Sequence, residues 1–311
     1  MDCSSKEKLK VCWLVTGSEA YGRGAFICQI VPRLARRDGF VVYVIATDKV
    51  QYLGELADSG AIIHSLGFSP TLALKNLRGW RSIRRICTEF VRHLRIIFAV
   101  AKLVRKYRPD IIHTHVTHNH IVAAIIGYLT GIKVVWHWHG PYIFTGLPHF
   151  LMCLLRSKAT ASISISGFVQ RTLPKYFQRT NQVVYNGIEL SANQRRVGER
   201  FRKKYDIPQD KFLVGSFGAV LPRKGFRYFI EAIPKILEKQ PNVCFVLVGG
   251  PTGESSNREW ERLHALIEEL GISGQIILTG LMPNAAKYMV DFDVIVVPTI
   301  PYENDPGEGF G

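Results

Sequence analysis

The segment from Val214 to Phe226 reads VGSFGAVLPRKGF. It leaves an apolar stretch that predicts a buried strand, crosses a loop with a glycine at each end, and enters an amphipathic helix. Such a loop presents backbone N–H groups at the positive end of a helix dipole. Arg223 and Lys224 add two cations at the same place. The pattern suits a phosphate or diphosphate group, and an ordinary strand-to-helix turn with a solvated basic pair remains the alternative.

The rest of the chain repeats this alternation of apolar strands and amphipathic helices. In the second half, strands are predicted at 212–217, 243–248, 275–278 and 293–297, with helices at 226–239, 256–270 and 284–290. The first half opens with similar strands at 11–16, 41–46 and 61–64. Strands that are apolar throughout and alternate with helices are typical of parallel sheets covered on both faces. The sequence therefore predicts an α/β fold.

A polar and basic stretch without an apolar strand separates the two halves of the chain. A length of 311 residues predicts two domains, each with its own core. We place an N-terminal domain at 1–190, a linker at 191–210 and a C-terminal domain, which carries the loop suited to a phosphate, at 211–311. Four strands make a thin sheet, and the final loop leads to no further element. We therefore expect the second domain to be incomplete.

The overall charge points to an anionic partner. Forty basic residues against 25 acidic ones give a net charge of +15, which favours nucleic acid, an anionic membrane or a phosphorylated ligand. No uninterrupted apolar run reaches 18 residues, and the N-terminus lacks a signal-peptide core. The six cysteines are scattered and form no CxxC pair. We expect a cytoplasmic protein that either stays in solution or lies on a membrane surface.

The segment 72–108 is the most basic part of the chain. Its apolar residues recur at helical spacing, and Glu89 is its single acidic residue. A helix of this type can lie on an anionic membrane, and it can equally pack on a sheet with its charges solvated. Nucleic acid is disfavoured because aromatic residues are not interleaved with the basic ones and no recognition module is visible.

Histidines gather at the ends of two predicted strands. His113 and His115 end one strand, and His137 and His139 end the next. Open α/β sheets bind ligands at the carboxyl ends of their strands. A zinc site is conceivable there, but acidic or cysteine partners at ligand spacing are missing, so we expect no metal. The glycines that follow the first strand do not fit G-x-G-x-x-G, which disfavours a dinucleotide-binding dehydrogenase.

Four motifs, taken in order, resemble the retaining glycosyltransferases of family 4. They are RPDIIHTH at 108–115 with His139-Gly140, VYNGIE at 184–189, the loop 218–225 with VLVGG at 246–250, and VVP at 296–298 with EGFG at 308–311. Each motif alone is weakly specific, whereas their order and spacing over most of the chain are specific. The resemblance implies the GT-B fold, in which two Rossmann-like domains face a cleft.

The resemblance also implies an activity and a set of site residues. The activity is transfer of a sugar from a nucleoside-diphosphate sugar to a glycan or lipid-linked acceptor, in polysaccharide or glycolipid synthesis, without a cofactor or metal. Lys224 would stabilise the diphosphate, Glu308 would hold a donor-sugar hydroxyl, and His139 would touch the donor sugar. The remaining binding residues would be Gly17, Gly22, Gly24, Gly218, Arg223, Gly250, Gly309, Phe310 and Gly311.

Three departures from the family pattern bear on these expectations. Ala219 stands where the family commonly has an arginine, and the first loop reads Arg23-Gly24-Ala25-Phe26 instead of Gly-Gly-Ala-Glu. The second glutamate of the final motif would fall beyond Gly311. We therefore expect the 311-residue chain to be inactive as it stands. A noncatalytic, basic membrane-surface binding protein is the alternative to the glycosyltransferase.

Overall fold

The computed structural model describes residues 7–16, 22–68, 80–187, 200–251, 253–282 and 285–303. The chain divides into two compact units, with the boundary between Asn186 and Gly187. Each unit contains one sheet, and every pair of neighbouring strands in these sheets runs parallel. The α/β fold predicted from the fully apolar strands is confirmed.

The first unit is built on a seven-stranded sheet of order β3-β2-β1-β4-β5-β6-β7. Its strands are β1 (Leu9–Val15), β2 (Phe40–Asp48), β3 (Ile62–Phe68), β4 (Ile111–Thr114), β5 (Lys133–Trp138), β6 (Ala161–Ser164) and β7 (Asn181–Val183). Alternate residues of β1 enter separate cores, because Leu14 belongs to one buried cluster and Trp13 to another. The chain order reverses between β1 and β4, which makes their carboxyl ends a switch point where ligands commonly bind.

Six helices surround this sheet in the described residues. They are α1 (Gly22–Ala35), α2 (Trp80–Tyr107), α3 (Thr117–Thr130), α4 (Gly146–Leu155), α5 (Gly167–Thr172) and α6 (Lys175–Gln178), with 3-10 helices at Gln51–Leu56 and Arg156–Lys158. Because α1 begins at Gly22, both Gly22 and Gly24 lie in its first turn and not in the predicted loop. Among the helices of the described residues, none combines the length and apolar character needed to cross a bilayer.

Helix α2 buries only part of the apolar stripe that its periodicity predicts. Ile96, Val100 and Val104 are fully or almost fully buried, whereas Phe90 and Phe98 are 64% and 73% exposed. The helical spacing of apolar residues groups Val104 with Phe90 and Phe98 on one stripe. The helix carries more apolar residues than the sheet can cover, so periodicity alone does not say which of them pack.

The second unit has a four-stranded sheet of order β10-β9-β8-β11. Its strands are β8 (Phe212–Phe217), β9 (Val243–Val248), β10 (Ile276–Leu278) and β11 (Val294–Ile295). Its helices are α7 (Arg200–Lys204), α8 (Phe226–Leu237) and α9 (Glu254–Glu269), with 3-10 helices at Pro222–Lys224 and Ala285–Asp291. Strand β9 is buried along its whole length. The chain order reverses between β8 and β11, beside the loop that follows β8.

Residues 200–210, which the sequence analysis assigned to the linker, pack into the second unit. Phe201 is fully buried and its ring lies 4.9 Å from that of Phe292. The backbone N–H of Phe201 donates to the carboxylate of Asp291 at 2.8 Å, and Arg202 pairs with Asp293 at 3.1 Å. The high density of basic residues in this stretch concealed the few apolar positions that anchor it.

Candidate active site

The loop from Gly218 to Gly225 links β8 to α8 in the second unit. It begins at the carboxyl end of β8, where the N–H of Gly218 donates to the carbonyl of Val248 at 3.0 Å. It continues through a 3-10 turn that closes with a bond from the Lys224 N–H to the Leu221 carbonyl at 2.9 Å. Gly225, with φ of 68°, then adopts the left-handed conformation and caps α8. Glycine reaches this conformation without strain.

Two of the glycines allow neighbouring backbone segments to approach very closely. A Cβ on Gly225 would stand 1.9 Å from the carbonyl oxygen of Pro298, just after β11. A Cβ on Gly249 would stand 1.9 Å from the carbonyl oxygen of Gly218. No larger residue fits at either place unless the backbone shifts. The floor of the site is therefore made of backbone from the ends of β8, β9 and β11.

The cations of this loop lie over that floor. A Cβ on Gly218 would stand 3.8 Å from Cε of Lys224, so the lysine stem crosses Gly218. Arg223 belongs to the same 3-10 turn, and its carbonyl accepts a bond from the Ile300 N–H at 3.0 Å. The first backbone N–H groups of α8 follow directly after. A helix N-terminus beside a lysine and an arginine can bind a phosphate or diphosphate.

Some other predicted site residues lie beside this loop or outside the described part of the chain. Gly250 follows β9, and a Cβ there would stand 2.5 Å from the backbone nitrogen of Leu281, another close backbone approach. Gly17, Glu308, Gly309, Phe310 and Gly311 lie outside the described residues.

The first unit contains a cavity of about 270 Å³ at the carboxyl ends of β1, β4 and β5. Its lining includes Thr16, Arg23, Arg92, Thr117, His118 and His139. His139 was predicted as a site residue, whereas Arg92 and His118 were not. Arg92 belongs to α2, and sequence gives no indication that this helix reaches a cavity beside β4. The two arginines and the polar side chains suit a polar or anionic ligand.

Burial lowers the pKa of the histidines at this edge of the sheet, which favours the neutral imidazole. Burial, followed by the charges of Arg23 and His113, lowers the pKa of His139 to about 3. The Nε2 atom of His139 lies 2.9 Å from Nδ1 of His115, at hydrogen-bonding distance. A neutral imidazole has one donor and one acceptor nitrogen. His139 is therefore suited to hydrogen bonding with a ligand hydroxyl and unsuited to supplying a positive charge.

Comparison with known families identifies the chain. Residues 22–192 match the family model described as Glycosyltransferase Family 4. The chain belongs to this family. Residues 197–311 match a second model, described as Glycosyl transferases group 1. The family membership that the four motifs predicted is confirmed.

Curated relatives are glycosyltransferases of modest identity. An uncharacterized glycosyltransferase of Methanocaldococcus jannaschii is 22% identical over 222 residues, which are 63% of this chain and 51% of that protein. The UDP-Gal:alpha-D-GlcNAc-diphosphoundecaprenol alpha-1,3-galactosyltransferase of Escherichia coli is 22% identical over 227 residues, 68% of this chain and 57% of its own. This family member thus spans about half the length of these relatives.

Solved structures support the fold. HepE of Anabaena, in complex with UDP and glucose, superposes with a TM-score of 0.71 at 19% identity, covering 96% of this chain and 76% of HepE. A glycosyltransferase from Rickettsia africae superposes with a TM-score of 0.74 at 16% identity, covering 95% of this chain and 74% of that protein. At these identities the likeness concerns the fold alone, and the predicted GT-B fold is confirmed.

Proposed function

We propose that the protein transfers a sugar from a nucleoside-diphosphate sugar to a glycan or lipid-linked acceptor, with retention at the anomeric carbon. In this reaction the bond between the anomeric carbon and the diphosphate breaks, and a bond to an acceptor oxygen forms. The diphosphate leaves with the electron pair, and the acceptor proton passes to a diphosphate oxygen. The observation that carries the proposal is the glycine-lined loop at Gly218–Gly225, with Lys224 crossing it.

The loop matches the electrostatic demand of this reaction. Negative charge grows on the diphosphate as the sugar leaves, so fixed positive groups beside it lower the barrier. Lys224, Arg223 and the N-terminus of α8 supply such groups in one turn of chain. No metal ion on the diphosphate is then required. The missing arginine at Ala219 leaves Lys224 as the principal cation of the proposed clamp.

The first unit supplies the proposed sugar contacts. His139 lines the cavity with its ring held by His115, so its orientation is fixed before a ligand arrives. We assign it a hydrogen bond to a sugar hydroxyl. Glu308, outside the described residues, is proposed to hold another hydroxyl of the donor sugar, together with the backbone of Gly309–Gly311. A sugar with several fixed hydroxyl contacts is positioned for displacement.

UDP-sugars are the first donors to test. The structure of HepE contains UDP and glucose, and the name of the Escherichia coli relative specifies UDP-Gal and a diphosphoundecaprenol-linked acceptor. A lipid-linked acceptor would place the enzyme at a membrane surface, on its cytoplasmic face where nucleotide sugars are made. The net charge of +15 is consistent with that position.

Helix α2 supports contact with an anionic membrane. Its exposed side combines the apolar residues Val91, Leu94 and Phe98 with the cations Arg95 and Lys102. An exposed apolar ridge flanked by basic side chains is the pattern of helices that lie in the interfacial region of a bilayer. This observation also favours the second candidate, a noncatalytic membrane-surface protein.

Donor binding separates the two candidates. UDP, UDP-glucose, UDP-galactose and the matching GDP-sugars are titrated into the 311-residue chain, up to millimolar concentration, by calorimetry. We expect UDP compounds to bind. Lys224→Ala should lower their affinity roughly 10- to 150-fold, because a charge-assisted hydrogen bond is lost. Lys235→Ala, an exposed lysine further along α8, is the matched control and should bind normally.

Vesicle binding is measured in parallel with phosphatidylcholine alone and with added phosphatidylglycerol. Phe98→Ala should reduce sedimentation with the anionic vesicles, while Tyr228→Ala, exposed in the second unit, should not. Binding to vesicles without any affinity for nucleotide sugars would favour the noncatalytic candidate.

A further inference from the structure

Four histidines share one face of the first sheet where β4 and β5 end. Side chains two residues apart on a strand point to the same side, which groups His113 with His115 and His137 with His139. Parallel pairing of His113 with Val135 sets the two strands side by side. The result is a cluster in which the ring centroids of neighbouring histidines lie 4.2–5.4 Å apart.

Aromatic side chains enclose this cluster. The ring of Trp13 stacks on His113 at 4.6 Å and on His115 at 4.9 Å. Phe26 of α1 meets His137 and His139 edge-on, at 5.4 and 5.0 Å. His115 is 2% exposed and His137 is 4% exposed. Polar atoms in such surroundings must find partners inside the protein.

Hydrogen bonding within the cluster is incomplete. Nε2 of His113 lies 3.3 Å from Nδ1 of His137, and Nδ1 of His115 lies 2.9 Å from Nε2 of His139. These contacts leave Nε2 of His115 and Nε2 of His137 buried without a hydrogen-bond partner. Burying one polar atom without a hydrogen bond costs about 1–3 kcal/mol of folding free energy, so two such atoms in one cluster require an explanation.

The geometry points to a bound ion as that explanation. His113, His115 and His137 each offer one ring nitrogen, and these three nitrogens all lie within 4.8 Å of one another. In a tetrahedral zinc site the Zn–N distance is about 2.1 Å, which places ligand nitrogens about 3.4 Å apart. Small rotations of the three side chains would bring their nitrogens from within 4.8 Å of one another to the spacing of a tetrahedral site. We propose that His113, His115 and His137 bind a zinc-class divalent transition metal ion.

The chemistry of the three ligands fits that class of ion. Imidazole nitrogen binds zinc, copper, nickel and iron, whereas magnesium and calcium prefer oxygen. The ordinary pKa of an imidazole, about 6.5, leaves most of the ring lone pairs available near pH 7. Three protein ligands leave a fourth position for water or a ligand atom. The sequence predicts no metal because acidic or cysteine partners are missing at ligand spacing, but three imidazoles are enough to bind zinc.

The ion would act on His139 through His115. A histidine bound to metal through Nε2 carries its proton on Nδ1 and donates it to an outer partner. That partner is Nε2 of His139, which must then accept and keep its own proton on Nδ1. The metal therefore sets the tautomer of the residue that lines the cavity. It is not the counter-ion of the diphosphate, a role the Lys224 loop fills.

The test measures metal binding directly and does not depend on sugar transfer. The chain, free of any affinity tag and stripped with a chelator, is titrated with Co²⁺ while the visible absorption is recorded, and zinc uptake is determined by elemental analysis. We expect one ion per chain with the intense visible bands of tetrahedral cobalt, displaced by zinc. Mg²⁺ should produce no change. His137→Phe should abolish uptake, while His264→Ala, an exposed histidine in the second unit, should keep it.

Hydrogen exchange on the unsubstituted chain keeps the proposal testable if His137→Phe fails to fold. Zinc should slow the exchange of peptides that contain residues 111–115 and 133–139, the two strands that carry the ligands. Uptake well below one ion per chain would overturn the proposal. So would full uptake by a folded His137→Phe variant, or protection confined to the neighbourhood of His149 and Cys153, which form a separate contact at 3.4 Å.

Discussion

Replacing Gly225 by alanine perturbs one of the two closest backbone approaches at the proposed diphosphate loop. With φ of 68°, Gly225 lies in the left-handed region, which costs a residue with a Cβ about 1–2 kcal/mol. The added Cβ would also stand 1.9 Å from the carbonyl oxygen of Pro298. Because the backbone fixes the position of the Cβ and the carbonyl oxygen is itself a backbone atom, no side-chain rotation relieves this contact, and overpacking of this kind costs about 1–3 kcal/mol. Together the two effects predict a loss of about 2–5 kcal/mol.

Gly271 provides a matched control in the same unit. Its φ of 65° is nearly the same, and a Cβ there would meet nothing within 4 Å. Gly271→Ala should therefore cost the conformational term alone, about 1–2 kcal/mol. The difference between the two variants isolates the contact with Pro298.

Stability of the second unit is measured by urea-dependent hydrogen exchange of peptides from β8 and β9, which reports this unit separately from the other. UDP affinity is measured by calorimetry on the same samples. Gly225→Ala should weaken UDP binding because the loop and the start of α8 must shift, and Gly271→Ala should leave it unchanged. Equal stability losses in the two variants would mean that the contact with Pro298 is not made, and normal UDP affinity in Gly225→Ala would mean that the loop does not bind the diphosphate.

Two further predictions concern the first unit. Gly127→Ala should lower the unfolding free energy of this unit by about 1–3 kcal/mol in urea, because the new Cβ would stand 2.6 Å from Cγ2 of Val134 and 2.9 Å from the Ile132 carbonyl. A loss below about 0.5 kcal/mol would contradict the packing of α3 on β5. Burial, and then the charges of His93 and Arg92, lower the pKa of His118 from 6.5 to about 4 in the folded chain. As the pH falls, the unfolded chain therefore takes up this proton before the folded chain does. The neutral ring therefore contributes stability above pH 6.5 that is lost between pH 6.5 and 4, up to about 3 kcal/mol. His118→Leu should reduce the pH dependence of the unfolding free energy by this amount, and an unchanged slope would exclude a contribution from His118.

The sheets were predictable because their strands are apolar throughout. The predicted bounds 212–217 and 243–248 coincide with β8 and β9, and the predicted helix at 226 begins at Phe226. Local pattern determines such elements when both faces of the sheet are covered. The glycines of the loop were equally visible, since only glycine fits where backbone segments meet.

Features that depend on packing were less accessible. The apolar residues of α2 did not reveal that Ile96 would be buried and Phe98 exposed, because this depends on how much of the helix the sheet covers. Phe201 was hidden within a basic stretch, although it is fully buried in the second unit. The cluster of His113, His115 and His137 required the register of β4 against β5, which no local pattern specifies.

We propose that the loop Gly218–Gly225 binds the diphosphate of a nucleotide sugar. Hydrogen exchange of the 311-residue chain with saturating UDP, compared with uridine at the same concentration, tests this contact. We expect UDP to slow the exchange of backbone amides between residues 216 and 228, whereas uridine, which lacks the diphosphate, should not. Protection by UDP that leaves this loop unaffected would contradict this proposal.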